Sequence, residues 1–361
     1  AWLVLIIFTV QACMTYFRLV DIILMQQFSK PLWYSIAKEM YTGNLGLFPN
    51  MLVHLYLYIP LLTMGLMSRE YSSGSIKLLY SSPVTNFQII GGKFLAMMLY
   101  GGLMLVILLL QVVFAFIFVK NLDIPLILSG LLGIYLVLCA YSAIGLFMST
   151  LTSYQIVAAI GTFAVLMVLS MIGGWWQEYD FIRDVTYWLS MPGRSGKFIA
   201  GLICSEDVLY FVIVVCLFLS LTIIRLNSVR QKIRFVITLG RNIGVIFLAC
   251  FLGYLSALPQ MKLYHDATST KINTLTPNSQ DIVAKLDGGM TITTYINALD
   301  PGSSWFAAPY FLKPDMERFE QYLRFKPDMK LKYVYYYDTV ATNPWLMGRY
   351  PGKTIDEIAK E

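Results

Sequence analysis

FLAMMLYGGLMLVILLLQVVFAFIFV, residues Phe94–Val119, carries no charged side chain over its whole length. A bilayer core ~30 Å thick is crossed by roughly 20 apolar helical residues, so this run reads as a membrane-spanning helix. Working outward, six more stretches qualify: Ala1–Met25, Phe48–Met67, Pro125–Leu151, Ile156–Ile172, Val208–Leu226 and Ile243–Leu258. Of the 361 residues 57% are hydrophobic and only 13% charged, with a mean hydropathy of +0.64. A soluble globule of that composition would leave too much apolar surface wet, and disorder, collagen and coiled coil are excluded by the same figures. The expected fold is a polytopic α-helical membrane protein. The first residue already lies inside an apolar run and the last stretch is charged and open-ended, so both ends read as cuts in a longer chain.

Charge divides the chain. Residues 1–261 hold 15 basic and 9 acidic side chains, and residues 262–361 hold 12 of each in less than half the length. The composition breaks near Pro259. If the first span starts in the cytoplasm, the cytoplasmic loops carry Arg69, Lys77, Lys93, Arg225, Arg230, Lys232, Arg234 and Arg241 against Glu70 alone. The other side has seven basic groups against eight acids. Basic excess belongs inside, which puts the hydrophilic part from about Lys262 outside the cytoplasm. The basic segment Asn227–Arg241 then reads as a cytoplasmic anchor for the sixth and seventh spans, and anionic-lipid binding there is compatible. Arg18 and Asp21, one turn apart, are expected to pair near one end of the first span.

The second and third spans are joined by MSREYSSGSIKLLYSSPVTNFQIIGGKFL, Met67–Leu95. Arg69 to Tyr80 is predicted to form one short helix with Ile76, Leu79 and Tyr80 on an apolar face. Ser82-Pro83 is an N-cap and first-turn pair, so a new helix is predicted to start there. Gly91-Gly92 permits close backbone packing before Lys93 anchors the next span. Such a bent segment along the inner face is a poor catalytic site and a good lever. Glu70, early on its helix where an anion suits the dipole, is its candidate charged contact, or else a solvated cap residue.

The run Glu70, Gly74-Ser75, Leu78-Leu79, Ser82-Pro83-Val84 and Gly92-Lys93-Phe94 resembles the signature of ABC-2 type transporter permeases, with Ser75 where that family has Thr. The resemblance covers about residues 1–226. It implies a six-span permease domain there, with this segment receiving the motion of a separate ATPase. The implied coupling residues are Arg69, Glu70, Tyr71, Gly74, Ser75, Leu79, Ser82, Pro83 and Lys93. It also implies a fifth span interrupted at Gly173-Gly174 and followed by an outer-face helical hairpin over 174–200. A homodimer of permeases, an ATPase dimer as partner, and a bacterial inner (cytoplasmic) membrane location follow from the same resemblance, with ATP and Mg on the partner ATPase and no cofactor in this chain.

The remainder is similar to the start of the auxiliary subunit of gliding-motility ABC transporters (GldG-like), through Lys271-Ile-Asn-Thr-Leu-Thr-Pro-Asn-Ser and Lys285-Leu-Asp-Gly-Gly-Met-Thr-Ile-Thr-Thr-Tyr. The chain would then be a fusion of GldF-like and GldG-like parts: a permease domain over 1–226, a basic linker and seventh span over 227–261, and an incomplete auxiliary domain over 262–361. Residue patterns support an α/β reading of the last part. Thr276-Pro277 opens a helix to about Leu286, ended by Asp287-Gly288-Gly289. Met290–Asn297 and Lys330–Tyr337 alternate as strands, Pro314–Phe325 is helical, and Asp356–Lys360 starts another helix. Strand, helix, strand is a βαβ unit with a parallel sheet. Tyr335-Tyr336-Tyr337 is either sheet packing or a contact platform.

Several chemistries are missing. Gly193-Arg-Ser-Gly196-Lys197-Phe198 lacks the upstream glycine and the Mg-binding hydroxyl of a phosphate cradle. His54 and His265 are the only histidines, so no metal site is expected, and His54 reads as a hydrogen-bonding residue inside the bundle. Cys13, Cys139, Cys216 and Cys250 lie in apolar runs as packing residues, and Cys204 lies outside such a run with no redox role assigned. No catalytic group and no nucleic-acid module is visible. Trp175, Trp176, Tyr179 and Trp188, around the acidic patch with Glu178, are candidate substrate or interface contacts, or a plain aromatic belt. The expected function is therefore an ABC transporter permease for export or extraction. The alternative is an ABC-driven scaffold or force-transmitting complex of gliding-motility type that moves no cargo. A membrane-embedded enzyme would need paired carboxylates or a Ser/Lys dyad in the spans, and none is seen.

Overall fold

The computed structural model describes residues 2–29, 36–119, 122–177, 179–258, 261–286, 288–297, 312–326, 328–336, 348–354 and 357. In chain order these form α1 (Trp2–Ser29), α2 (Ile36–Thr42), α3 (Leu47–Thr63), α4 (Ser68–Ser73), α5 (Ile76–Ser81), α6 (Asn86–Phe118), α7 (Ile124–Leu151) and α8 (Gln155–Met171). A 3-10 turn (Ile172–Gly174), α9 (Asp180–Leu189), α10 (Met191–Ile199), β1 (Leu202–Cys204), α11 (Ser205–Gln231), α12 (Phe235–Ser256) and β2 (Tyr264–Asp266) follow. The last elements are α13 (Pro277–Ala284), β3 (Thr291–Asn297), α14 (Leu312–Glu317), α15 (Glu320–Leu323) and β4 (Lys330–Tyr336). The expected positions Glu178, Pro259, Asp287 and Tyr337, and the helix over Asp356–Lys360 apart from Glu357, lie outside the described residues. Two compact units emerge: Ala1–Ser170 with Met191–Thr270, and Met171–Ser190 with Lys271–Glu361.

Seven helices among the described residues are long and apolar enough to cross a membrane: Trp2–Met25, Lys38–Ser73, Asn86–Phe118, Ile124–Leu151, Gln155–Gly174, Ser205–Gln231 and Phe235–Ser256. They match the seven stretches read from hydropathy. In the first unit α7 is the central helix. It begins where the Asp123 carboxylate accepts from the Leu126 N–H (3.3 Å) and Pro125 occupies the first turn, the usual opening of a helix. Its small residues let neighbours come close. Phe48 of α3 lies over Gly130, Phe198 of α10 over Gly133, and Thr63 of α3 over Gly145. Where the surroundings are lipid, such packing holds helices together because hydrophobicity no longer distinguishes partner from solvent.

The expected close-packing pair Gly91-Gly92 does not behave this way: no atom stands within 4 Å of where a Cβ would be. Cys216 and Cys250 are exposed on their helices and do not fill the interior, whereas Cys139 and Cys204 are buried. Arg18 and Asp21 do not form the expected ion pair with each other; both line an open hollow along α1. His54 does bond inside the bundle, to Gln11 (2.5 Å) and the Asn50 carbonyl (2.6 Å).

The basic segment Asn227–Arg241 is mostly helical. α11 continues to Gln231, Lys232 ends it in the left-handed region (φ 49°), and α12 starts at Phe235. Only Lys232–Arg234 is a turn, and the helix of Phe235–Arg241 runs through Gly240. At the other end of this helical pair, β1 and β2 run antiparallel, with Ile203 opposite His265. Lys262 pairs with Glu206 at 2.7 Å and the Ser205 N–H donates to Leu263 (2.9 Å). The backbone beyond β2 stays attached, with the Ser269 N–H on Asp123 at 3.0 Å.

In the second unit β3 and β4 are parallel, Thr291 opposite Lys330 through Asn297 opposite Tyr336. Helix Pro314–Phe325 of the sequence reading is two short helices, α14 and α15. Thr276 caps α13 as expected, accepting from Ser279 N–H, with Pro277 in the first turn. The Tyr333 hydroxyl donates to Asp315 at 2.7 Å. Burial, with that carboxylate beside it, pushes the Tyr333 phenol well above its ordinary range. Tyr335 and Tyr336 remain 42% exposed.

Candidate functional site

The segment between α3 and α6 is a bent pair of helices, not one. Gly74 stands at φ +72°, ψ 1°, and ends α4, its N–H bonded to Tyr71. That left-handed backbone suits glycine and costs any residue with a Cβ. Ser82 ends α5 in place of opening a helix, and Pro83 is in the connector. The next helix opens three residues later, at a capping box. Thr85 Oγ1 accepts from Gln88 N–H (3.2 Å) and Gln88 Oε1 accepts from Thr85 N–H (3.0 Å). Thr85 and Gln88 together satisfy two backbone donors where Ser82 would satisfy one, so the box sets the boundary.

Four ties hold this elbow. Ser149 of α7 accepts from the Met67 and Ser68 N–H groups (2.9 and 3.0 Å) and donates to the Met64 carbonyl (3.0 Å). Lys93 of α6 donates to Glu70 and to the Leu66 carbonyl, both at 2.5 Å. The carboxylate that the sequence suggests as an outward contact thus has a partner within its own chain. Both side chains are largely shielded, 24% exposed for Glu70 and 21% for Lys93.

Arg230 of α11 forms the third tie. It donates to the Tyr80 carbonyl (2.9 Å), the Val84 carbonyl and the Asn86 side chain (3.3 Å each), and its guanidinium lies 5.5 Å from the centre of the Tyr80 ring. Asn86 also donates to Asn227 at 2.7 Å. Burial raises the Tyr80 phenol above its ordinary range, against the lowering influence of Tyr71 and Arg230, so the ring meets the cation uncharged. The fourth tie is apolar: Met67, Ile76, Ile90 and Phe94 are buried with Cys139, Ala143, Leu146 and Leu226, and Tyr71, Leu79 and Tyr80 pack against them.

Arg69, Lys77, Leu78, Pro83 and Phe87 remain outward, with Leu78 75% and Phe87 71% exposed. The elbow is therefore tied on its inner face and presents a mixed basic and apolar outer face. Ser149, Asn227 and Arg230 escape a reading of the loop alone because they come from distant helices. Only the acid-free run around Arg230 signalled a role, and it read as topology. Arg230→Ala is expected to loosen the elbow without unfolding the bundle. Hydrogen exchange over 76–86 should speed up several-fold, as for loss of about 1–2 kcal/mol of local bonds, while α7 stays protected.

The aromatic group belongs to the second unit. Trp175 and Trp176 meet edge to face, 5.9 Å between ring centres, with Trp176 at φ 48°. Tyr179 is exposed and Trp188 half-buried. They do not line an enclosed cavity among those described. The Gly193–Phe198 run lies in helix α10, a geometry with no phosphate cradle.

Residues 2–177 match the family model described as ABC-2 family transporter protein. This segment is an ABC-2 permease domain. The match takes in five of the seven spans and the whole elbow, and ends before α11. No curated protein matches the chain, and no solved structure does. An ABC-2 permease domain is the membrane component of a transporter and works with an ABC ATPase in a bilayer.

Proposed function

We propose that the chain is the transmembrane subunit of an ABC transporter and that the α4–α5 elbow takes up the closing motion of a separate ATPase. The observation that carries this is the division of the elbow into a tied inner face and an unpartnered outer face. Ser149, Lys93 and Arg230 join it to α7, α6 and α11, so a push on it moves three spans together. Leu78 and Phe87, flanked by Arg69 and Lys77, supply an anchor of the kind that fills a partner's pocket. In this reading Gly74 and Ser75 shape the bend, Tyr71 and Leu79 seat it, Ser82 and Pro83 end it, and Glu70 acts through Lys93. ATP and Mg belong to the partner, and the chain pairs with a second copy of itself.

Loop charge supports a cytoplasmic elbow, with residues from about 262 on the other side of a bacterial inner membrane. The GldG-like resemblance of 262–361 supports a fused auxiliary domain and keeps open a force-transmitting complex. The antiparallel β1–β2 pairing and the Lys262–Glu206 bridge favour that second reading in one respect: the strand after α12 is fastened to the head of α11. Copurification of the intact chain from its own membrane, with mass spectrometry, should recover an ABC ATPase. Leu78→Asp with Phe87→Asp should lose it, with unchanged thermal unfolding. Retention of a fully stimulated ATPase by the double variant would remove the elbow's role.

A further inference from the structure

We propose that the cavity between α3 and α10 holds the acyl chain of a phospholipid whose anionic head group lies at Lys38. On α3 the wall is Pro49, Leu52, Val53 and Tyr56, spaced i, i+3, i+4, i+7, which is one face of a helix. On α10 it is Pro192, Ser195, Gly196 and Ile199, the same spacing. Two helices presenting complementary stripes would ordinarily interlock. Here they stand apart over a space of about 360 Å³. Gly196 is the reason on one side: no atom lies within 4 Å of a Cβ built on it. Val53, 63% exposed, is the reason on the other.

The space is graded along its length. Lys38 and Thr42 of α2 stand at one end, and Tyr56 meets Tyr141 of α7 at the other, ring centres 5.5 Å apart. From Pro49 to Tyr56 is about 10 Å along the helix. The walls between are mostly apolar, with the Ser195 hydroxyl turned to the Pro192 carbonyl, and they belong to helices that cross the membrane or flank one that does. Water gains little in such a lining, and a void forfeits the dispersion contacts of every wall atom. A hydrocarbon chain restores them. Lys38, the one charged side chain among the described residues lining the cavity, stands at its mouth and selects the sign of the head group. The buried Arg194 cannot serve, because Asp207 (2.6 Å) and Glu206 (3.5 Å) already neutralise it.

The assignment needs no ATPase, so its test is independent of the proposed coupling. The intact chain is placed in phosphatidylcholine nanodiscs containing either phosphatidylglycerol or phosphatidylcholine with a photoactivatable group in the acyl chain, and adducts are mapped by mass spectrometry. Adducts are expected at Leu52, Val53 and Ile199, with phosphatidylglycerol favoured about fivefold, the preference one lysine near the surface supplies. Lys38→Glu should erase that preference and keep the adducts. Gly196→Leu, or Val53→Trp filling from the opposite wall, should cut adducts from both lipids about tenfold and leave those on the exposed face of α12 unchanged. Equal labelling by the two lipids, labelling insensitive to both filling variants, or removal of the preference by millimolar inorganic phosphate would each overturn the proposal; the last would make Lys38 a site for a free anion.

Discussion

A Gly145→Val chain is expected to fail to accumulate in the membrane. A Cβ on Gly145 would stand 2.1 Å from Thr63 Oγ1 and 2.7 Å from Thr63 Cβ. Thr63 is fully buried, and its hydroxyl is engaged with the Ile59 carbonyl at 2.8 Å. Rotating the hydroxyl to another carbonyl would relieve only the oxygen contact, because the Thr63 Cβ is fixed by its backbone. Overpacking a tight interior costs 1–3 kcal/mol in ordinary cases. Here the backbones of α3 and α7 must separate, and we expect at least about 3 kcal/mol. Gly145→Ala should show a smaller loss of thermal stability in detergent. Adding Thr63→Ala should return part of it, since the nearest oxygen is gone while the Cβ contact remains. Normal accumulation and melting of the valine variant would show that α3 and α7 do not pack through this glycine.

Lys93→Glu is expected to uncouple the permease from its ATPase. The substitution removes the donor to Glu70 and to the Leu66 carbonyl and places two carboxylates together in a shielded position. Breaking a fully buried pair by changing one partner costs roughly 3 kcal/mol or more, and this part-buried pair is expected to lose less, about 1–3 kcal/mol. The cost falls on the tie between the elbow and α6, because Ser149, Arg230 and the apolar cluster still hold its other sides. Stimulated ATPase activity should fall at least tenfold, with the bundle still folded. The exchange of both residues, Glu70→Lys with Lys93→Glu, separates the two roles open to Glu70. Substantial recovery means the pair is an internal strut. No recovery, with Lys93→Met still active, means that Glu70 itself meets the partner.

Hydropathy located all seven spans, because length and apolarity are properties of each segment alone. The parallel β3–β4 pair was legible for the same reason, through alternation at 290–297 and 330–336. The bend at Gly74 was not. A helix from Arg69 to Tyr80 satisfies the local pattern, and only the docking of Ile76 and Tyr71 into one cluster makes the chain turn there. Ser82-Pro83 resembles a helix start, but Thr85 with Gln88 offers a reciprocal bond that outcompetes it. The ties from Ser149 and Arg230 join positions dozens of residues apart, and nothing in either neighbourhood marks them. Gly145 and Gly133 matter through what lies across from them, whereas Gly91 and Gly92, conspicuous as a doublet, face open space.

The last transmembrane helix, α12, packs along α11 and leaves most of its remaining surface open, with 6% of its span buried. At one end the Ser228 and Thr238 hydroxyls bond at 2.8 Å, and at the other the strand pairing and the Lys262 bridge fasten the chain to α11. A helix of its 22 residues is about 33 Å long. In a thinner bilayer a free rod of that length relieves hydrophobic mismatch by leaning. This one is pinned top and bottom to α11, so it cannot lean without taking α11, and with it Arg230, along. The tilt of α12 is thereby tied to that of α11, the helix that carries Arg230 to the elbow.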